Sequence, residues 1–191
     1  MAEAIQPNMR STNISITSFQ NIIADYLSDF RFPGIRVLDI GPGQLDLLDI
    51  AKEEGSAQTV GVDFDPAIQA LGDLRGHDVR IFNLTKGWPL PDQTFDLIFC
   101  RGSINCFWYP SEIRLREFLD GLSGSLADSG RLWIAPWNKP APNREGLVDV
   151  FDATVSDWAQ RNGITVETPD PGLHARYGIG YKIPRVEIWT R

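Results

Sequence analysis

Cysteine is nearly missing from this chain. Cys100 and Cys106 are the two in 191 residues. Two thiols make no disulfide scaffold, and neither belongs to a Cys-x-x-Cys zinc pair, so no structural metal is expected. Histidine is as scarce, with His77 and His174 alone, which leaves few side chains that exchange protons near neutrality. Positive charge is in deficit: 18 Lys and Arg stand against 25 Asp and Glu, a net charge of −7. That balance is the opposite of the basic footprint of a nucleic-acid binder. No apolar run approaches the ~18 residues of a membrane span. The first residues, Met1 to Ser18, lack the charged-then-apolar layout of a signal peptide. These absences predict a cytoplasmic, reduced chain with no metal, no nucleic-acid partner and no membrane contact. They leave its oligomeric state open.

What is present is a full supply of core formers, 42% of the residues. At about 150 residues per domain, the length predicts a single domain over 1–191. Residues 1–16 are polar and aperiodic and read as a loose arm. Phe19, Ile22, Ile23, Tyr26, Leu27 and Phe30 then fall on one helical face. Thr17 and Gln20 fit a capping box ahead of that face. The spacing predicts an amphipathic helix over 17–30, ending before Pro33-Gly34 and covering the sheet that follows. From there strand and helix signals alternate. Strands are predicted at 35–40, 58–62, 78–82, 95–100 and 131–136, with two final strands at 164–168 and 185–190. Helices are predicted near 44–54, from Pro66 to about 75, from about Ser111 through Leu126, and around Leu147–Trp158. Continuous apolar strands alternating with helices predict an α/β three-layer sandwich. Its sheet is doubly wound and mostly parallel, with seven strands and an antiparallel last strand. In such sheets ligands bind outside the carboxyl ends of the strands.

The residues after each strand are therefore the candidates. After the first come Asp39, Gly41, Pro42 and Gly43, where glycines allow a tight turn and a close backbone approach. The N-terminus of the helix that follows suits an anionic group. The dinucleotide fingerprint Gly-x-Gly-x-x-Gly is not met, because Asp46 takes the third glycine's place. After the second strand comes Asp63, a carboxylate placed to accept from both hydroxyls of a ribose. With the glycine turn ahead of it, Asp63 points to an adenosine-containing ligand. After the third come Asn83 and Leu84, and an amide can read an adenine edge.

With Trp88 to Phe99 added, the chain resembles the class I S-adenosylmethionine-dependent methyltransferases. The resemblance rests on VLDIGPGQ (37–44), VGVDFDP (60–66) and NLTKGWPLPDQTFDLIFCRGSINCF (83–107), in this order and spacing. It implies methyl transfer from S-adenosylmethionine, with S-adenosylhomocysteine as product. It also implies roles for the strand-end residues. Asp39 and Gly41 to Gly43 would lie under the methionine half, and Asp63 would hold the ribose. Phe64 would pack on adenine, the Leu84 N–H would meet a ring nitrogen, and Arg101 would sit beside the methionine tail. One position departs from the family pattern. The family continues Gly-x-Gly-x-Gly, and here the last glycine is Leu45. A leucine there is expected to crowd the cofactor, by displacing the loop, weakening binding or marking a changed role.

The acceptor side is read from two segments. Asn105, Phe107 and Trp108 supply polar and aromatic surface after the fourth strand. Residues 172–191 hold four basic residues and one acid, so Arg176 and Lys182 are candidates to hold an anionic acceptor. His174 and Tyr177 in the same loop are the candidate proton acceptors. His77, ahead of the third strand, reads as a surface residue away from the ligand. The expected activity is methylation of a small molecule with a polar or anionic group. The alternative is a methyltransferase-like cofactor-binding protein that serves as a non-catalytic partner subunit. A nicotinamide-dependent reductase is disfavoured, since no Tyr stands four residues before a Lys.

Overall fold

The computed structural model describes residues 23–24, 26–101, 112–135, 146–167 and 187–191. Seven strands form one sheet: β1 (Arg36–Ile40), β2 (Gln58–Asp63), β3 (Asp78–Ile81), β4 (Phe95–Arg101), β5 (Leu126–Ala135), β6 (Thr165–Glu167) and β7 (Glu187–Thr190). Their order across the sheet is β3-β2-β1-β4-β5-β7-β6. The first five run parallel, and β7 lies antiparallel to both β5 and β6. The chain reverses its direction of travel between β1 and β4, and in sheets of this kind that switch point, at the carboxyl ends, is where a ligand crevice is expected.

Residues of one strand divide between two cores, as the period of two requires. Leu38, Ile40, Val60, Ile98, Cys100, Leu132 and Trp189 face one side. There they meet Leu115, Phe118, Leu119 and Leu122 of helix α3 (Glu112–Ser125) and Val155 and Trp158 of helix α4 (Gly146–Arg161). Val37, Leu97, Phe99, Trp133 and Ile188 face the other side. They pack with Leu47, Leu48, Ile50 and Ala51 of helix α1 (Asp46–Glu53) and with Tyr26 and Leu27. Strands covered on both faces explain the unbroken apolar runs in the sequence.

The N-terminal segment covers this second core over its described residues. Tyr26 meets Trp133 edge-on at 6.0 Å. Asp29 takes both guanidinium nitrogens of Arg131, at 2.7 and 2.8 Å. The helix there ends at Tyr26, short of the expected Phe30, and a turn follows. The arm 1–16 and the capping pair Thr17 and Gln20 lie outside the described residues.

Helix α2 (Pro66–Arg75) begins where the sequence predicts. Asp65 caps it by accepting the Ala67 N–H at 2.9 Å, and Gly76 closes it at φ 73°. Strand β5 differs from expectation. It starts at Leu126, not 131, and the register breaks between its pairing to Phe95 and to Leu97. Ser129 at φ 62° lies in that break. The Trp88–Phe95 stretch, part of the third block of the resemblance, has a packing role. Trp88 donates Nε1–H to Ser125 Oγ at 2.8 Å, Ser125 donates to the Leu90 carbonyl at 3.0 Å, and Leu90 and Phe95 are buried. No helix among the described residues is long and apolar enough to cross a membrane.

Candidate active site

The first wall of the crevice is the turn from β1 into α1. Gly41 and Gly43 adopt φ 71° and 52°, a region open to glycine and resisted by residues with a Cβ. The Gly41 N–H continues the ladder by donating to the Val62 carbonyl at 2.9 Å, and the Leu45 N–H closes the turn on the Pro42 carbonyl at 2.9 Å. Pro42 is buried against β2, where a Cβ at Gly61 would come within 3.0 Å of its Cγ.

Leu45 corrects the expectation drawn from the sequence. It too has a positive φ, 65°, which is the property that a glycine supplies at this place. Its side chain is fully buried, in the core that α1 shares with the sheet. The leucine side chain therefore turns into the core and presents no surface at the turn.

Register places the charged residues on one face. Asp39 pairs with Gly61 on one side and Phe99 on the other. Asp63 and Arg101, two residues further along those strands, fall on the same side of the sheet as Asp39. Asp46, in the first turn of α1, joins them electrostatically. Burial pushes the Asp39 carboxyl up to about 8, with the charges of Asp63 and Asp46 adding to the rise and Arg101 opposing it. Burial also lowers Arg101 to about 10, against the pull of Asp39 and Asp46. Asp63 is raised chiefly by burial, offset by main-chain N–H groups of Asp65, Phe64 and Gly43. One of its oxygens accepts the Asp65 N–H at 3.0 Å, which leaves further lone pairs for a ligand.

The other strand ends continue the line. Phe64, beside Asp63, is 72% exposed, an unusual state for a large apolar ring. The Phe82 N–H donates to the Asp63 carbonyl at 2.7 Å, which brings the end of β3 against β2. Asn83 is exposed there, and buried Leu84 opens a 3-10 turn (Leu84–Lys86). From β3 through β2 and β1 to β4, the order is therefore Asn83 and Leu84, Asp63 and Phe64, Asp39 and the glycine turn, then Arg101. All nine expected cofactor residues share one sheet edge. The expected acceptor residues Asn105, Phe107, Trp108, His174, Arg176, Tyr177 and Lys182 lie outside the described residues.

His77 also departs from expectation. It is buried, with Thr59 Oγ1 2.8 Å from Nδ1 and Asp49 Oδ1 2.8 Å from Nε2. These partners lie 18 and 28 residues away in the chain, beyond the reach of local pattern. In the sequence Asp46 stood out only as the residue in the fingerprint's third glycine place; its place in the first turn of α1 near Arg101 comes from α1 docking on the sheet.

Residues 18–173, most of the chain, match the family described as Methyltransferase domain. The chain belongs to this family, the class I S-adenosylmethionine-dependent methyltransferases. Among curated proteins it is similar to the ribosomal protein L11 methyltransferase of Ralstonia pickettii (strain 12J). The two are 39% identical over 77 residues, which are 39% of this chain and 25% of that one. The chain thus spans a quarter of the length of that relative. Among solved structures it is similar to CalS10 from Micromonospora echinaspora, an amino pentose methyltransferase with bound S-adenosylmethionine. The TM-score is 0.65 at 16% identity, over 93% of this chain and 92% of that one. It is similar also to an S-adenosylmethionine-dependent methyltransferase from Mesorhizobium loti, with a TM-score of 0.61 at 17% identity, over 84% and 93%. Magnesium protoporphyrin IX methyltransferase of Synechocystis PCC 6803, with bound S-adenosylhomocysteine, gives 0.59 at 14% identity, over 92% and 83%. At these identities the likeness is one of fold.

Proposed function

We propose that this protein transfers the methyl group of S-adenosylmethionine to a small-molecule acceptor that carries a polar or anionic group. The observation that carries this reading is the line of strand ends, with half-buried Asp63 beside exposed Phe64 and next to a glycine turn. These residues fit the cofactor. A carboxylate suits two ribose hydroxyls, an exposed ring suits an adenine face, and a turn with positive φ suits close approach of a flexible tail. Bound S-adenosylmethionine supplies a methyl group already activated on a sulfonium.

The chain's own residues then have three tasks. Asp63 accepts from the ribose, Phe64 covers the base, and Asn83 with the Leu84 N–H reads its edge. Asp39, Gly41, Pro42 and Gly43 shape the floor under the methionine half, where Arg101 supplies a positive charge for its carboxylate. Asn105, Phe107 and Trp108 form the acceptor wall, Arg176 and Lys182 hold the acceptor's anion, and His174 or Tyr177 takes its proton. Holding the acceptor in line with the methyl group supplies most of the acceleration, because the electrophile needs no further activation.

The small-molecule reading is supported by CalS10, whose length this chain covers to 92%; that much chain suffices for an amino pentose. A protein acceptor is the second reading, favoured by the sequence match to the L11 methyltransferase. The non-catalytic reading loses one of its two motives, because Leu45 is packed in the core; the scarcity of candidate bases remains the other. Calorimetric titration with S-adenosylmethionine, S-adenosylhomocysteine and NADH tests the cofactor, and binding of the first two alone is expected. Transfer of labelled methyl groups to a metabolite panel, with ribosomal protein L11 in parallel, tests the acceptor. Labelling of L11 alone overturns the small-molecule reading. Cofactor binding with no transfer to either set returns the protein to the non-catalytic class.

A further inference from the structure

Behind the glycine turn, between α1 and α2, four side chains form one continuous hydrogen-bonded chain. It starts on β2 at Thr59, whose Oγ1 is 2.8 Å from His77 Nδ1. The opposite ring nitrogen, Nε2, lies 2.8 Å from Asp49 Oδ1. A carboxylate oxygen only accepts, so Nε2 carries a hydrogen, and in the neutral ring Nδ1 accepts from the threonine hydroxyl. Asp49 Oδ2 accepts from Arg75 Nη1 at 2.6 Å. The same nitrogen, which has two hydrogens, donates the other to the main-chain carbonyl of Gln44 at 2.7 Å. Lys52 steadies the far end by donating to the carbonyls of Arg75 at 2.8 Å and Gly76 at 3.3 Å.

The end point of this chain matters. The Gln44 carbonyl belongs to the peptide plane that precedes Leu45, and Leu45 is the non-glycine residue held at positive φ. A glycine adopts that φ freely, whereas a leucine needs its neighbours to hold it. Burial of the Leu45 side chain is one hold. The guanidinium on Gln44 is the second, and it acts on the peptide whose rotation would release the turn.

We propose that Arg75 is a positioning residue for the cofactor. It latches the Gln44–Leu45 peptide and so keeps the Gly41–Gly43 turn in its binding shape, while His77 and Thr59 aim Asp49 at the guanidinium. In this chain the latch does the work that a third glycine does in the family pattern. The proposal rests on the assignment of the cofactor to that turn.

The experiment is calorimetric titration of S-adenosylhomocysteine into the intact wild-type chain, Arg75→Ala, Arg75→Lys, Asp63→Ala, Leu45→Gly and the double variant Leu45→Gly/Arg75→Ala. Each unliganded melting temperature is recorded. Loss of a charge-assisted hydrogen bond to the turn is expected to weaken binding about tenfold in Arg75→Ala. Arg75→Lys, a point donor without the fork, is expected to recover part of that loss. In the Leu45→Gly background, where the turn needs no hold, removal of Arg75 is expected to cost less than about threefold. A merely structural arginine would lower the melting temperature and leave affinity unchanged. Arg75→Ala within twofold of wild type, with Asp63→Ala clearly weakened, overturns the latch and leaves the cofactor site standing. Equal losses from Arg75→Ala in the wild-type and the Leu45→Gly backgrounds also overturn it. Wild-type affinity in both Asp63→Ala and Arg75→Ala removes the cofactor assignment and the latch with it.

Discussion

At Leu45 a left-handed backbone costs a non-glycine residue about 1–2 kcal/mol, and the chain offsets this by burying the side chain completely. Leu45→Gly relieves the backbone but leaves a cavity, and large-to-small core changes cost roughly 2–5 kcal/mol. The variant is therefore expected to be less stable by about 1–3 kcal/mol in urea denaturation, and still to bind cofactor. At Asp39 the buried carboxyl holds its proton up to about 8, against 3.8 in the unfolded chain. Between those values the native state binds more protons than the unfolded state, so this group lowers stability as pH rises from about 4 to about 8. Asp39→Asn has no proton to lose. It is expected to gain stability over wild type when thermal denaturation at pH 8 is compared with pH 5, and parallel curves would refute the shift. If Asp63 holds the ribose as proposed, alanine there removes two charge-assisted hydrogen bonds of roughly 1.5–3 kcal/mol each, and S-adenosylhomocysteine should bind at least ~10-fold more weakly. Asp63 and the glycines were legible because turn and strand-end chemistry is local. The inward aim of Leu45 and the burial of His77 were not, because each depends on what lies against it.

Among the elements, α2 shows how close packing limits what propensity would favour. Gly72 sits mid-helix, where alanine is favoured by about 1 kcal/mol. Yet an added Cβ would lie 2.4 Å from Val79 Cγ2 and 2.9 Å from Val79 Cβ. The overlap falls on β3 itself, and overpacking of this kind costs roughly 1–3 kcal/mol. Gly72→Ala is therefore expected to destabilise, while Gly72→Ala/Val79→Ala recovers part of the loss; guanidinium denaturation of the three chains checks this. Element order and type were legible throughout the described residues, since capping and periodicity act within a few positions, as at Asp65-Pro66 and Gly76. Boundaries were less so. Strand β5 begins five residues early because β4 offers it a further pairing partner at Phe95, an opportunity that no local signal announces.

For the whole molecule, a ligand that binds only the folded state raises stability by mass action. At 100 times its dissociation constant that is about 2.7 kcal/mol, which in a chain of this size moves the melting temperature by roughly 5–11 °C. S-adenosylhomocysteine should produce this rise, and NADH at the same concentration should produce none. A flat response to both would remove the cofactor site. By itself the sequence determined the layered α/β architecture and the glycine turn and carboxylates that stand at its strand ends. Each of these follows from periodicity, capping and turn preference over short spans. Only the tertiary structure decided that Asp39, Asp46, Asp63 and Arg101 share one face, that Leu45 turns into the core, and that Thr59, His77, Asp49 and Arg75 join behind the turn. Those relations link residues brought together by strand register and helix docking, and the free energy of burial that sets them is not written in any one segment.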